Sequence, residues 1–231
     1  MIGDLTRETV YISGPRAELV GELCYTDTRA DAAVVIANPH PLMGGAINNN
    51  VVERMALGLP ELGFVTLRFD YAGVGHSGGE PIDVAEHMQQ FWDTGSTAAD
   101  PRMCEEARCA TDWLGDQFGL PVLGVGYSFG AYALSSTAAD QLDAIAVISP
   151  TLTRHDFTTL TTSALPVLVV YTDNDFATPV EDTRAWIDSL GARATGHLIA
   201  AGDHFYRDRE RQILDVCAGF FKEVLKHRGQ K

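Results

Sequence analysis

Val122-Leu123-Gly124-Val125-Gly126-Tyr127-Ser128-Phe129-Gly130-Ala131-Tyr132-Ala133-Leu134 decides how this chain is read. An apolar run leads into Gly-x-Ser-x-Gly, and a run of small, helix-compatible residues leads out of it. Strand, sharp turn, helix is the setting in which that pentapeptide forms a nucleophile elbow, with a serine at the tip of a strained turn. The glycine spacing has a steric cause. Side chains two positions to either side of the serine would collide with neighbouring backbone, and glycine also tolerates the dihedrals of a tight turn.

Working outward from that turn, apolar runs and turn residues alternate. Thr9–Ile12 and Glu18–Tyr25, separated by Ser13-Gly14-Pro15, read as a hairpin. Ala32–Ala37 is a continuous apolar run, as expected of a strand covered on both faces. It ends in Asn38-Pro39-His40-Pro41-Leu42-Met43-Gly44-Gly45, and Asn48-Asn49-Asn50 offers caps for a helix over Val51–Leu59. Phe64–Asp70 is a strand followed by the glycine-rich Tyr71–Gly79, which lacks dinucleotide-binding spacing. Pro81–Asp100 has no assigned regular structure and is expected to wall a pocket. A helix is expected over Met103–Phe118. Beyond the serine come strands at Leu142–Ile148, Pro166–Tyr171 and Thr195–Ile199 and helices at Val180–Leu190 and Asp208–Lys226. The threonine-rich Thr151–Ala164 is long enough only for a small lid.

Eight candidate strands alternating with helices predict an α/β architecture: one domain over residues 1–231, with a mostly parallel sheet, helices on both faces and a small or absent lid. Ligands of such sheets bind beyond the carboxyl ends of the strands. Asn38-Pro39-His40, Ser128, Asp175 and His204 each follow a predicted strand, so four chemically useful positions fall on one edge.

Composition narrows the function. Of 231 residues 31 are acidic and 17 are Lys or Arg, a net charge of −14. That balance argues against nucleic acid or an anionic membrane as partner, because both reward basic residues. Met1-Ile2-Gly3-Asp4 opens no basic-then-apolar leader, and no apolar run approaches the ~18 residues of a membrane span. A cytoplasmic protein that acts on a small molecule, as a monomer or homodimer, is expected. The cysteines at 24, 104, 109 and 217 form no C-x-x-C pair and are expected to be free buried thiols.

The chain resembles the α/β-hydrolase superfamily over nearly its whole length. The order nucleophile, acid, histidine is that of this fold. Within it the chain is similar to small, nearly capless hydrolases, through Pro39-His40-Pro41-Leu42-Met43-Gly44-Gly45 and Arg68-Phe69-Asp70-Tyr71-Ala72-Gly73-Val74-Gly75-His76-Ser77. Such relatives often carry His where this chain has Asn38, and Arg where it has Ala72 or His76. The resemblance implies Ser128 as nucleophile and His204, in its Gly-Asp-His setting, as general base. Between Asp173 and Asp175, the family's Gly-x-x-Asp-x-x-x-Pro pattern laid on Thr172–Pro179 selects Asp175, and Asp173 reads as a loop cap. The oxyanion hole needs two backbone N–H groups. Phe129 would give one, and His40 or Leu42 the other, since Pro39 and Pro41 have none. His76, His87, Phe91, Trp92 and Phe157 are candidate substrate-binding residues; His155 and His197 read as lid surface and strand residue, and Arg68 as a scaffold ion pair.

These roles imply a serine esterase, thioesterase or lactonase working through an acyl-enzyme, with no metal or organic cofactor. A lyase that eliminates acetate or a similar acid from an acylated intermediate such as a tetronate, in a biosynthetic setting, is the alternative on the same fold, and a non-catalytic binding module is the third.

Overall fold

Each residue of Ala32–Ala37 is buried, and its side chains alternate between two separate apolar layers. Ala33, Val35 and Ala37 face one layer; Ala32, Val34 and Ile36 face the other. A strand with water on neither side has to sit between helices, and this one (β3) lies in the middle of the sheet. The computed structural model describes residues 3–137 and 140–228. In chain order the remaining strands are β1 (Thr6–Ser13), β2 (Glu18–Tyr25), β4 (Phe64–Phe69), β5 (Val122–Tyr127), β6 (Ala144–Ile148), β7 (Val167–Asn174) and β8 (Ala194–Asp203). They form one eight-stranded sheet in the order β1-β2-β4-β3-β5-β6-β7-β8. The hairpin β1–β2 and the β2–β4 pair are antiparallel, and the remaining pairs are parallel.

Chain direction across the sheet reverses at β3. From there the path runs to β4 through α1 (Asn50–Gly58) on one face and from β4 to β5 through α3 (Asp100–Phe118) on the other. Such a switch point opens a crevice at the strands' carboxyl ends. Helix α1 and the last helix, α7 (Glu210–Arg228), cover one face through Val52, Met55, Ile213, Leu214 and Phe221. Helices α3, α4 (Phe129–Thr137) and α6 (Val180–Leu190), with the five-residue α5 (Thr158–Thr162), cover the other. Among the described residues no separate lid covers the carboxyl edge, and no helix is long and apolar enough to cross a membrane.

The differences from the sequence reading are local. Asn49 is the cap of α1, its side chain accepting from the N–H groups of Val51 and Val52, so the helix starts one residue earlier than expected. The unassigned stretch 81–100 contains a helix, α2 (Val84–Thr94), capped by Asp83 at its start and by Gly95 in the left-handed conformation at its end. Helix α7 starts at Glu210 rather than Asp208, because Asp208 takes φ +63° and cannot continue a helix. Strands β7 and β8 run beyond their expected ends. Their pairing slips after Thr172↔Ile199 and resumes at Asn174↔Asp203, leaving extra residues bulged on β8. The N–H of Ala201, at φ +54°, donates to the Asp173 carboxylate across that bulge at 3.1 Å.

Arg68 on β4 is buried and bridges Glu22 and Glu53. It also donates to the carbonyl of Ile47, a scaffold role. Cys24, Cys104 and Cys217 are buried free thiols, whereas Cys109 is half-buried. Burial pushes the thiols of Cys24 and Cys104 up to about 11, which keeps them protonated and poor nucleophiles.

Candidate active site

Ser128 follows the last residue of β5 and takes φ +55°, a conformation serine rarely adopts. Its N–H donates to Ile148 O at 2.8 Å and its carbonyl accepts from Ala131 N–H at 3.1 Å, so the turn is fastened to β6 and to the first turn of α4. The two glycines are there for space. A Cβ on Gly126 would stand 2.5 Å from Gly130 O and from Ala131 Cα, and one on Gly130 would stand 2.2 Å from Ala37 O.

His204 is the first residue beyond β8 and Asp175 the first beyond β7, one position past the restored Asn174↔Asp203 pair. His204 Nδ1 lies 2.8 Å from Asp175 Oδ1 and its Nε2 lies 3.0 Å from Ser128 Oγ. With Asp175 ionised, Nδ1 donates to it and Nε2 is left to accept from the serine hydroxyl. All three side chains are almost fully buried. Burial pushes the Asp175 carboxyl up; the hydrogen bond and charge of His204, with Ser149 and the Ala177 N–H, outweigh it and hold the group below the usual carboxylate range. Tyr127, inside the pentapeptide, donates its hydroxyl to the carbonyl of His204 at 2.5 Å. Phe176 and Phe205 pack on the imidazole, with ring centroids at 4.6 and 5.9 Å.

The loop after β3 uses nearly all of its own N–H groups. His40 Nδ1 accepts from Leu42 N–H at 3.1 Å. Met43 and Gly45 donate to His40 O, and Gly44 donates to Pro41 O. With Pro39 and Pro41 lacking a proton, the backbone N–H of His40 is the one not committed inside residues 39–45 among these bonds. Phe129 opens α4, where N–H groups have no intrahelical acceptor.

Ser128 and His204 open into a cleft of 70 Å³. Phe91 and Trp92 of α2, with Met43, Phe129 and Phe176, give it an apolar lining. Phe91 packs on His40 at 4.6 Å between ring centroids. The other expected pocket residues lie elsewhere. His76 is exposed in the glycine-rich loop, because that loop folds around Asp70: Ile47 N–H donates to its carboxylate at 2.8 Å and Ser77 Oγ–H to its carbonyl at 2.8 Å. His87 lines a separate depression with Glu80, Pro81 and Arg102. Phe157 is a core residue, packed against Tyr132 and Trp186. Leu42 is buried beneath the loop, its N–H spent on His40.

Three residues at the cleft carry more than the sequence reading gave them. His155 is not lid surface: its side chain is 7% exposed, stacks on Tyr132 and lines the cleft. Asp100 stands behind the cleft between two imidazoles, 3.3 Å from His40 Nε2 and 3.5 Å from His155 Nε2, and accepts from Thr97 Oγ1–H at 2.6 Å. Arg154 reaches the cleft beside His155. Both lie well beyond the end of β6 rather than directly after it, past the positions that the strand-end rule picks out.

Burial pushes the Asp100 carboxyl up, but His155, His40 and Thr97 together hold it well below the usual range. A carboxylate whose folded pKa is depressed adds stability above its unfolded value of about 3.9, and that stability is lost as pH falls toward the folded value. Asp100→Asn is therefore expected to be less stable than the parent at pH 7, and the gap is expected to shrink as pH falls below about 4. Urea unfolding across that range checks this; a gap that stays constant or widens on acidification contradicts it.

No protein-family model matches the chain. An uncharacterized protein of Rickettsia prowazekii is 25% identical over 216 residues, covering 88% of this chain and 84% of that one. Among solved structures, an α/β serine hydrolase homologue from Coxiella burnetii superposes with a TM-score of 0.77 at 26% identity, covering 91% of this chain and 95% of its own. A Xanthomonas campestris protein described as an α/β serine hydrolase without a lid superposes at 0.76 with 21% identity, covering 96% and 94%. With its sheet order, its strained serine turn and these neighbours, the chain has the α/β-hydrolase fold.

Proposed function

We propose that this protein is a serine hydrolase that cleaves a small carboxylic ester, thioester or lactone through an acyl-enzyme, with Ser128, His204 and Asp175 as its triad. The observation that carries the reading is the hydrogen-bonded chain from Ser128 Oγ through His204 to Asp175, at 3.0 and 2.8 Å, on a serine held at φ +55°. Ser128 Oγ attacks the carbonyl carbon as its proton passes to His204 Nε2. Asp175 holds the imidazole in the tautomer that can take that proton and stabilises the imidazolium. The N–H groups of Phe129 and His40 receive the oxyanion; the other N–H groups of the β3 loop have acceptors already, which favours His40 over Leu42. The imidazolium then protonates the leaving alkoxide or thiolate. Water, deprotonated by His204, releases the acid and restores the serine. A 70 Å³ cleft with aromatic walls suits a small acyl or alcohol group, since a buried water needs only about 10–15 Å³ on the same measure.

Intact mass after incubation with a fluorophosphonate tests the nucleophile. One adduct is expected on the parent and none on Ser128→Ala. A folded parent that takes no adduct, or a Ser128→Ala variant that labels equally, overturns the assignment. Product analysis on acylated substrates separates hydrolysis, which gives acid plus alcohol, from elimination, which gives acid plus alkene.

A further inference from the structure

The cleft at Ser128 is lined by Arg154 and by three histidines, 40, 155 and 204, and, among the described residues, by no aspartate or glutamate. That is unusual for a chain with 31 acidic and 17 basic residues. Two carboxylates with largely buried side chains, Asp100 and Asp175, stand behind the imidazoles and pair with them. Among the described residues the Arg154 guanidinium has no ion-pair or hydrogen-bond partner. The guanidinium groups of exposed arginines elsewhere, Arg16, Arg29, Arg54 and Arg209, are likewise unpaired among the described residues, so what singles out Arg154 is its place on the cleft.

Arg154 is also held in place. Thr178 Oγ1–H donates to Pro150 O at 2.7 Å and accepts from Leu152 N–H at 3.0 Å, while Thr153 Oγ1–H donates to Ala177 O at 2.8 Å. These bonds fasten the Arg154 segment to the loop that carries Asp175. On the other side the arginine stem passes directly over Gly95. A Cβ on Gly95 would stand 2.4 Å from Arg154 Cδ and 2.9 Å from Nη1, so the glycine that caps α2 also clears the path of the side chain. Arg154 is exposed at the mouth of the cleft that Ser128 also lines, and a guanidinium with open donors there matches a planar anion bound in a two-pronged contact.

We infer that Arg154 anchors a carboxylate on the substrate, so that the preferred substrates are acyl compounds with a second, ionised carboxyl group, such as half-esters of dicarboxylic acids. The inference rests on the hydrolase reading for its chemistry and on the cleft alone for its binding. A phosphate would make the same two-pronged contact; a carboxylate is the anion that the acyl part of an ester substrate can itself carry.

Two measurements test it. The first compares kcat/KM for monoethyl half-esters from malonate to adipate with the matching ethyl ester amides, which have the same length and no charge. The parent is expected to prefer at least one charged ester over its amide by about tenfold or more, in line with a bidentate charge-assisted contact. Arg154→Gln is expected to erase that ratio and Arg154→Lys to keep part of it. The second measures calorimetric binding of the same half-esters to Ser128→Ala, with and without Arg154→Gln, where a tenfold loss is expected. A preference that survives Arg154→Gln, a parent that treats charged and neutral esters alike, or half-esters that bind Ser128→Ala no better than the double variant each overturn the inference. If no ester is turned over but the binding difference holds, the hydrolase reading falls and the anion site stands. If esters are cleaved with a ratio indifferent to residue 154, the reverse holds.

Discussion

On the proposed triad, Asp175→Asn is expected to lower kcat on any ester the protein turns over by about 10⁴, the loss typical when such a histidine is locked in its wrong tautomer. Asp175 accepts the Nδ1 proton of His204 at 2.8 Å, and Ala177 N–H donates to the same Oδ1 at 2.8 Å. An asparagine oriented to keep the Ala177 bond through its oxygen still offers the imidazole no charge. An asparagine that turns its amide toward the ring forces Nδ1 to accept, which puts the proton on Nε2, where the proton of Ser128 must go. Either way the base is disabled while the shape of the site is kept. Asp173→Asn is the matched comparison, two residues away. Its carboxylate accepts from Ala201 N–H across the β8 bulge and does not touch the imidazole, so less than a tenfold change is expected. Steady-state kinetics on the pair, with melting curves to show both are folded, decides the matter. A collapse in Asp173→Asn with Asp175→Asn near the parent would reassign the acid.

Gly130→Ala is expected to destabilise the fold by about 3 kcal/mol or more, at or beyond the upper end of ordinary overpacking. The added methyl would meet Ala37 O at 2.2 Å and Asn38 O at 2.6 Å. These are backbone atoms at the end of β3, which is hydrogen-bonded on both sides, to β4 and to β5. Neither neighbour can yield without breaking a ladder, and any retreat of Asn38 shifts the loop that holds the His40 N–H. Both stability and ester turnover should therefore fall together. Gly219→Ala is the control: on α7 nothing lies within 4 Å of the added atom, and removing a helix glycine is expected to gain about 0.5–1 kcal/mol. Thermal melts of the two variants, with soluble yield as a second readout, check the contrast. A Gly130→Ala protein as stable as the parent would show that the serine turn has slack.

What the sequence made legible were features with a local cause. β3 is an unbroken apolar run, and both its ends were readable. The serine turn has two glycines at fixed spacing, and the residues after β7 and β8 stand where a parallel sheet presents its chemistry. Helix α2 was legible in principle: Met88, Phe91 and Trp92 have helical spacing between Asp83 and Gly95. With Val84 they stand at i, i+4, i+7 and i+8, a period present in the sequence but carried by one short run among polar residues. Asp100, Arg154 and His155 were not legible, because their meaning comes from contact. Asp100 is 60 residues from His40 along the chain, and no spacing rule links an aspartate at the start of one helix to imidazoles on two different loops. The same holds for Phe157, whose neighbours Tyr132 and Trp186 decide that it is core.

The slipped pairing at the ends of β7 and β8 has a mechanical consequence. Asp175 and His204 leave the sheet past the same rung of one two-stranded ribbon, so a bend of that ribbon carries the carboxylate and the imidazole together. Ser128 stands on a different strand, two places inward. The joint through which any flexing must act is therefore the 3.0 Å gap between Ser128 Oγ and His204 Nε2. The Tyr127 hydroxyl spans that joint from beneath, a strut from the serine strand to the backbone of the histidine at the tip of the cantilever.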